Sequence, residues 1–515
     1  MGLATIACRT QLGLQAPLVQ VEVSLDSGLP VFAIVGLPAT VVKESKERVR
    51  AALLNSGFDF PAGRITINLS PADLPKQGGR FDLPIALGIL IASRQLGSAR
   101  GPISDRCVEF YGELGLSGEL KPVPGLLLAA GHAASAGHEV IIPGANLPEM
   151  SLLQQCLGAD RVRARAAGHL REVCAHVEGT RRLTLLIVTD AVAASGDGPP
   201  MDLADVRGHL QVKRALAIAA SGAHSILMIG PPGSGKSMLA QRVPGLLPAL
   251  TDAEALEVAT INSASLSAAF DVERFGRRPF RAPHHTASAA ALVGGGPRAR
   301  PGEISLAHRG VLFLDELPEF DRRVLEALRE PLETGLVSVA RAAVQVTYPA
   351  ECMVIAALNP CPCGFFGDDR GTCRCTPNEI RRYRSRISGP LLDRLDMHVS
   401  VPRLAADEFH EDVPRGDSTR EVAARVSCTR SVQLARQGKC NARLNTAEVE
   451  KWCRLDTASQ ALLERAMKQL HLSARGRERV LKLARTIADL SGEAAITSMH
   501  IAEALQFRAL DGGPP

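Results

Sequence analysis

The sequence holds no apolar run near the roughly 18 residues that span a bilayer; the longest, such as Leu83–Ala92, stop well short. Its opening stretch, Met1 to Arg9, has neither the basic start nor the long apolar core of a secretory signal. Both absences point to a cytoplasmic protein with no membrane partner. Strong charge is missing too: a formal net charge of +5 on 515 residues permits a nucleic-acid partner without demanding one. Twelve cysteines in so long a chain do not read as a disulfide framework. Most are expected to be free thiols, and one cluster of four stands apart. No internal repeat or low-complexity tract is present. At 46% hydrophobic residues the composition is that of a globular protein, long enough for about three domains with cores of their own.

The strongest signal present is Gly230-Pro231-Pro232-Gly233-Ser234-Gly235-Lys236-Ser237, set between the apolar run Ser225–Ile229 and a helix-like stretch from Met238. Glycines let backbone N–H groups close around a β-phosphate, Lys236 reaches the β/γ oxygens, and the Ser237 hydroxyl ligates Mg²⁺. About 80 residues on, the apolar run Val311–Leu314 ends in Asp315 and Glu316. A buried strand ending in two acids predicts that Asp315 holds Mg²⁺ and that Glu316 orients the attacking water. Together the two motifs predict ATP and Mg²⁺ as cofactors and ATP hydrolysis as the reaction.

Along the chain, residues 1–176 alternate short strands, such as Arg64–Leu69, with helical stretches such as Val41–Leu54, as in an α/β module. A polar, glycine- and proline-rich linker is placed at 177–201. Strand and helix alternate again over 202–401 around the ATP motifs, and 402–515 reads as helical, a small lid.

Read in order, further motifs resemble the YifB/ComM group of magnesium-chelatase-like AAA+ ATPases over nearly the whole chain. They include Val35-Gly-Leu-Pro38, Glu44-Ser45, Asn68-Leu-Ser-Pro71, Phe81-Asp-Leu-Pro84, Arg281-Ala-Pro-His-His285, Pro301-Gly-Glu-Ile-Ser305, Asn359-Pro-Cys-Pro-Cys-Gly364, Ser388 to Arg394 and Leu472-Ser-Ala-Arg475. The resemblance implies an AAA+ P-loop ATPase domain with a C-terminal helical lid. In it Asn359 is the sensor-1 residue at the γ-phosphate. Arg394 resembles an arginine finger acting on ATP of a neighbouring subunit, and Arg475 a sensor-2 residue coupling nucleotide to lid. A finger acting in trans implies a homo-hexameric ring. His209 stands where the group usually has glutamine.

The segment Tyr111–Gly125, with Gly137–Pro143, resembles the proteolytic-domain fold of Lon protease, which makes the N-terminal domain Lon-like. Cleavage there needs a serine activated by a lysine. No lysine occurs between Lys121 and Lys213, and Phe81–Ala86 contains no serine. A non-proteolytic version serving ring assembly or DNA contact is expected.

Cys361, Cys363, Cys373 and Cys375 form a C-x-C…C-x-C insert at 361–375. Four thiolates suit a closed structural Zn²⁺ site; free thiols beside the sensor strand are the alternative. DNA-contact candidates are the basic run Arg381-Arg382-Tyr383-Arg384, the long connection carrying Arg281, His284 and His285, and a hairpin over 335–348 with Arg341 near its tip. The function these features imply is a hexameric ATP-driven helicase, moving on single-stranded or branched DNA and promoting branch migration in homologous recombination and natural transformation. A magnesium-chelatase-like subunit driving metal insertion into a porphyrin, or an AAA+ protein remodeller, is the alternative.

Overall fold

The computed structural model describes residues 2–97, 108–187, 201–265, 271–296, 299–341, 344–368, 373–404 and 416–508. The chain divides into two compact units, one of residues 1–195, 251–276 and 342–347, the other of 196–250, 277–341 and 348–515. Segment 251–276, which falls within the nucleotide-binding stretch of the sequence, thus belongs to the first unit. Among the described residues no helix is long and apolar enough to cross a membrane.

The first unit is built on a seven-stranded mixed sheet. Leu18–Asp26 lies between Gly2–Arg9 and Arg64–Ser70, antiparallel to both. Alternation in these strands sends Val19, Val21 and Val23, and likewise Ile65, Ile67 and Leu69, into one core. The almost wholly buried helix Asp82–Ala92 packs across the first two strands. The expected helix from Val41 to Leu54 is two helices, Thr40–Lys43 and Ser45–Asn55, joined at Glu44. Ser45 donates its hydroxyl to Asp82, and Arg48 pairs with the same carboxylate at 2.7 Å. Helix Asp252–Ser265 contributes Ala259 to this core, with Leu256 and Phe275 packed against it.

The second unit carries a five-stranded sheet in the order Phe280–Arg281, Val311–Leu314, Met353–Leu358, Ile226–Ile229, Met397–Ser400, with every neighbour parallel. The three central strands are apolar throughout, as expected of strands covered on both faces. Five helices between Thr419 and Gln506 follow, and their Val422, Leu463, Val480 and Ile487 share a core with Ile226, Phe313 and Ile355. Capping boxes at Ser418/Glu421 and Asn445/Glu448 start two of these helices. All three central strands end on the same side, and the loops leaving them carry the candidate site.

Candidate ATP-binding site

The turn between Ile226–Ile229 and helix Lys236–Ala240 supplies the phosphate loop. Gly235 precedes the helix in a left-handed conformation, φ +87°, where a side chain would be strained. Lys236 is buried, and its ammonium donates to the carbonyls of Gly230 at 2.8 Å and Pro231 at 2.9 Å and to Asn359 Oδ1 at 3.3 Å. Burial pulls its pKa down, against the opposing attraction of Asp315 and Glu316. The ammonium is therefore held by carbonyl oxygens that arriving phosphate oxygens would replace.

Ser237 donates its hydroxyl to Asp315 Oδ2 at 2.7 Å, which brings together the two groups suited to Mg²⁺. Asp315 Oδ1 accepts from the Glu316 backbone N–H at 2.9 Å. Glu316 leaves the strand end with φ +51°, a left-handed conformation uncommon for a residue with a side chain, and its carboxylate is half exposed. The structure thus gathers Lys236, Ser237, Asp315, Glu316 and Asn359 at adjacent ends of three parallel strands. The residues present fit ATP with Mg²⁺.

Beside the phosphate loop opens a cleft of about 790 Å³, lined by residues 232–235 together with Asp205, Arg207, His209, Met238 and Arg403. His209 occupies the position before helix Leu210–Gly222 with φ +53°. Arg403 donates to the Pro232 carbonyl at 3.3 Å and lies over the Phe365 ring. Sequence reasoning missed Asp205, Arg207 and Arg403. Arg403 comes to the phosphate loop because strand Met397–Ser400, which it follows, lies beside Ile226–Ile229, a placement with no signal in the sequence.

Arg394 and Arg475 do not line this cleft; both reach Glu333. Arg394 pairs with Glu333 Oε2 and donates to the Pro390 carbonyl at 2.8 Å, while Arg475 lies 3.7 Å from Glu333 Oε1. The hydrogen bond from Arg394, and then the two positive charges, hold the Glu333 carboxyl below its usual range. These residues line a separate cavity of about 600 Å³ with Arg443, Arg479 and Lys482. Arg479 is committed to Asp396, whereas Arg475, beside Glu333, is 62% exposed.

The four cysteines come together. Cys361 Sγ lies 3.3 Å from Cys363 and 3.7 Å from Cys373, Cys363 lies 3.6 Å from Cys373, and all four sulfurs fall within 4.8 Å of one another. Sulfurs at ~2.3 Å from a tetrahedral zinc stand about 3.8 Å apart, so the donor set fits that ion. The turn presses on the phosphate loop: a Cβ on Gly364, at φ +86°, would come 2.5 Å from Pro232 Cδ.

Of the candidate nucleic-acid contacts, Arg381 and Arg382 are exposed on helix Pro377–Arg384. Tyr383 is buried, and Arg384 donates to the Pro360 carbonyl at 3.2 Å. The helix therefore offers guanidinium groups and no free ring. Arg281 makes two bonds to Glu303, at 2.6 and 2.7 Å. His284 is exposed and His285 half-buried. Arg341 ends strand Leu336–Arg341, and its side chain lies outside the described residues.

Family models match three stretches of the chain. Residues 202–409 match "Magnesium chelatase, subunit ChlI", 21–146 match "Subunit ChlI of Mg-chelatase", and 416–508 match "Magnesium chelatase, subunit ChlI C-terminal". The chain is 46% identical over 513 residues to Competence protein ComM of Haemophilus influenzae, covering 99% of this chain and 98% of that protein. It is also 46% identical over 513 residues to Uncharacterized protein YifB of Escherichia coli, with the same coverage. A weaker likeness, 26% over 218 residues, covers 40% of this chain and 21% of DNA replication licensing factor Mcm2 of Drosophila melanogaster. With its phosphate loop, paired acids and full-length similarity, the chain belongs to the YifB/ComM family of magnesium-chelatase-like AAA+ ATPases.

Proposed function

We propose that this chain is the subunit of a hexameric ATP-driven DNA motor that promotes branch migration during homologous recombination and natural transformation. The observation that carries this reading is the division of the ATP machinery. Lys236, Ser237, Asp315, Glu316 and Asn359 meet at one cleft, while Arg394 and Arg475 meet at another around Glu333. A finger absent from its own cleft serves a neighbour's, and head-to-tail contacts that repeat form a ring when the rotation per subunit closes. DNA as the load is supported by the relatives' names, one a competence protein and one a DNA replication factor. The exposed Arg381, Arg382 and His284 give it phosphate-directed groups. The first unit is read as a non-proteolytic Lon-like module, since no lysine occurs between Lys121 and Lys213 and Phe81–Ala86 contains no serine.

The test is ATP hydrolysis measured alone and with single-stranded, duplex and branched DNA, followed by strand displacement on a forked substrate. DNA is expected to stimulate hydrolysis, displacement to require ATP, and Glu316→Gln to trap a DNA-bound ring. Absence of DNA binding, of stimulation and of trapping would remove the helicase reading. It would favour the alternative that the family models' descriptions suggest, a chelatase-type subunit driving metal insertion into a porphyrin.

The cysteine turn is proposed to hold a structural zinc. Its four sulfurs leave no open coordination position, so its work is to brace a segment with little core of its own against Pro232. Metal analysis of the purified protein is expected to find about one zinc per chain, lost in Cys361→Ser. Wild-type protein without zinc would refute the site.

A further inference from the structure

The Arg281–His285 motif is only partly accounted for by a DNA-contact role, because its second histidine is half-buried beside Glu316 and Phe320. Strand Phe280–Arg281 runs parallel to Val311–Leu314, with Arg281 opposite Leu312, so the two chains leave the sheet in the same direction. The pair of bonds from Arg281 to Glu303 fixes where the first of them leaves. The exit brings His285 Nδ1 to 3.3 Å from Glu316 Oε2. The imidazole is itself held. The His284 ring lies 4.1 Å away between centroids, and His285 meets Phe320 edge-on at 6.5 Å and 79°.

Glu316 needs such a partner. Its carboxylate sits at the end of a flexible side chain, half in solvent, on a left-handed residue past the strand end. Left alone it would spread over several rotamers, few of them facing a water in line with the γ-phosphate.

We propose that His285 is the positioning residue for Glu316. With Nδ1 carrying its hydrogen, the imidazole donates to Oε2 and holds the carboxylate in one orientation, leaving Oε1 to accept from the attacking water. His284 and Phe320 keep the ring from turning away. The proposal rests on Glu316 as the group that orients water, and extends that role to the residue that aims it. The contacts of His285 among the described residues run to Glu316, His284 and Phe320, so its loss falls on turnover and spares nucleotide binding.

The test uses the full-length protein and steady-state ATP hydrolysis, with His285→Ala, His285→Asn, Glu316→Gln and the double variant His285→Ala/Glu316→Gln. Asparagine places an amide nitrogen close to where Nδ1 sits. His285→Ala is expected to lower kcat by about tenfold or more, with KM for ATP within about twofold. His285→Asn is expected to recover most of that loss, and His285→Ala to cost nothing further once Glu316 is glutamine, measured in single turnover. Three results overturn the proposal: an unchanged kcat in His285→Ala while Glu316→Gln is inactive, an equal loss in the alanine and asparagine variants, or losses that multiply in the double variant. Hydrolysis that survives Glu316→Gln instead overturns the water-orienting role of Glu316, and this proposal with it.

Discussion

Lys236→Ala is expected to lower the turnover of ATP by at least about a hundredfold, the scale seen when one preorganised donor is removed from a reaction centre. The free protein should nonetheless keep its unfolding midpoint within about 3 °C, a shift worth about 1 kcal/mol in a body of this size. The two outcomes come from the same burial. Desolvation pulls the Lys236 pKa down, so holding the ammonium charged in that pocket costs the free protein stability. The bonds to Gly230, Pro231 and Asn359 offset only part of that cost. Alanine removes the desolvated charge along with the bonds. ATP with Mg²⁺ should then raise the unfolding midpoint of the wild type and leave that of the variant where it was, which calorimetry or dye-monitored melting reads directly. A variant that melts far earlier would mean that Lys236 is mainly structural.

Arg394→Ala is expected to lower turnover by about a thousandfold or more, the range of arginine fingers, with ATP still bound. The trans assignment makes a sharper demand. Arg394→Ala chains keep a sound phosphate loop, and Lys236→Ala chains keep a sound finger. Mixing two inactive proteins should therefore restore hydrolysis, because random assortment in a ring makes about a quarter of the interfaces whole. A finger acting within its own chain gives no such recovery. Glu333 bears on the same test, since it holds both Arg394 and Arg475. Once Arg394 is gone, Arg475 is its remaining partner of the two. Glu333→Gln should leave nucleotide binding untouched while loosening the geometry of both arginines.

The parts of the site legible in the sequence are those whose chemistry is local. The phosphate loop occupies eight consecutive residues, and Asp315 and Glu316 follow an uninterrupted apolar strand, so spacing alone announced them. The cysteines were legible for the same reason. What stayed hidden depends on strands that neighbour each other out of sequence order. Arg403 reaches the Pro232 carbonyl because Met397–Ser400 pairs with Ile226–Ile229, a pairing that no local pattern encodes. The link between His285 and Glu316 likewise follows from Phe280–Arg281 lying beside Val311–Leu314, and that strand is only two residues long, too short to leave a periodic signal. Tyr383 looked like a ring flanked by arginines. Helical geometry turns it to the buried side with Ile380, while Arg381 and Arg382 face outward.

The helix Asp252–Ser265 sets an order on synthesis. Its Ala259 joins the core of a unit whose seven-stranded sheet has all been made before residue 195, yet the phosphate loop is translated between the two. The N-terminal unit therefore leaves the ribosome with apolar surface uncovered, and it can close only after the strand and turn that will bind ATP have been produced. A fragment ending at residue 195 exposes that surface permanently and is prone to aggregate. Cutting this protein into a separate N-terminal piece and ATPase piece would thus divide a core.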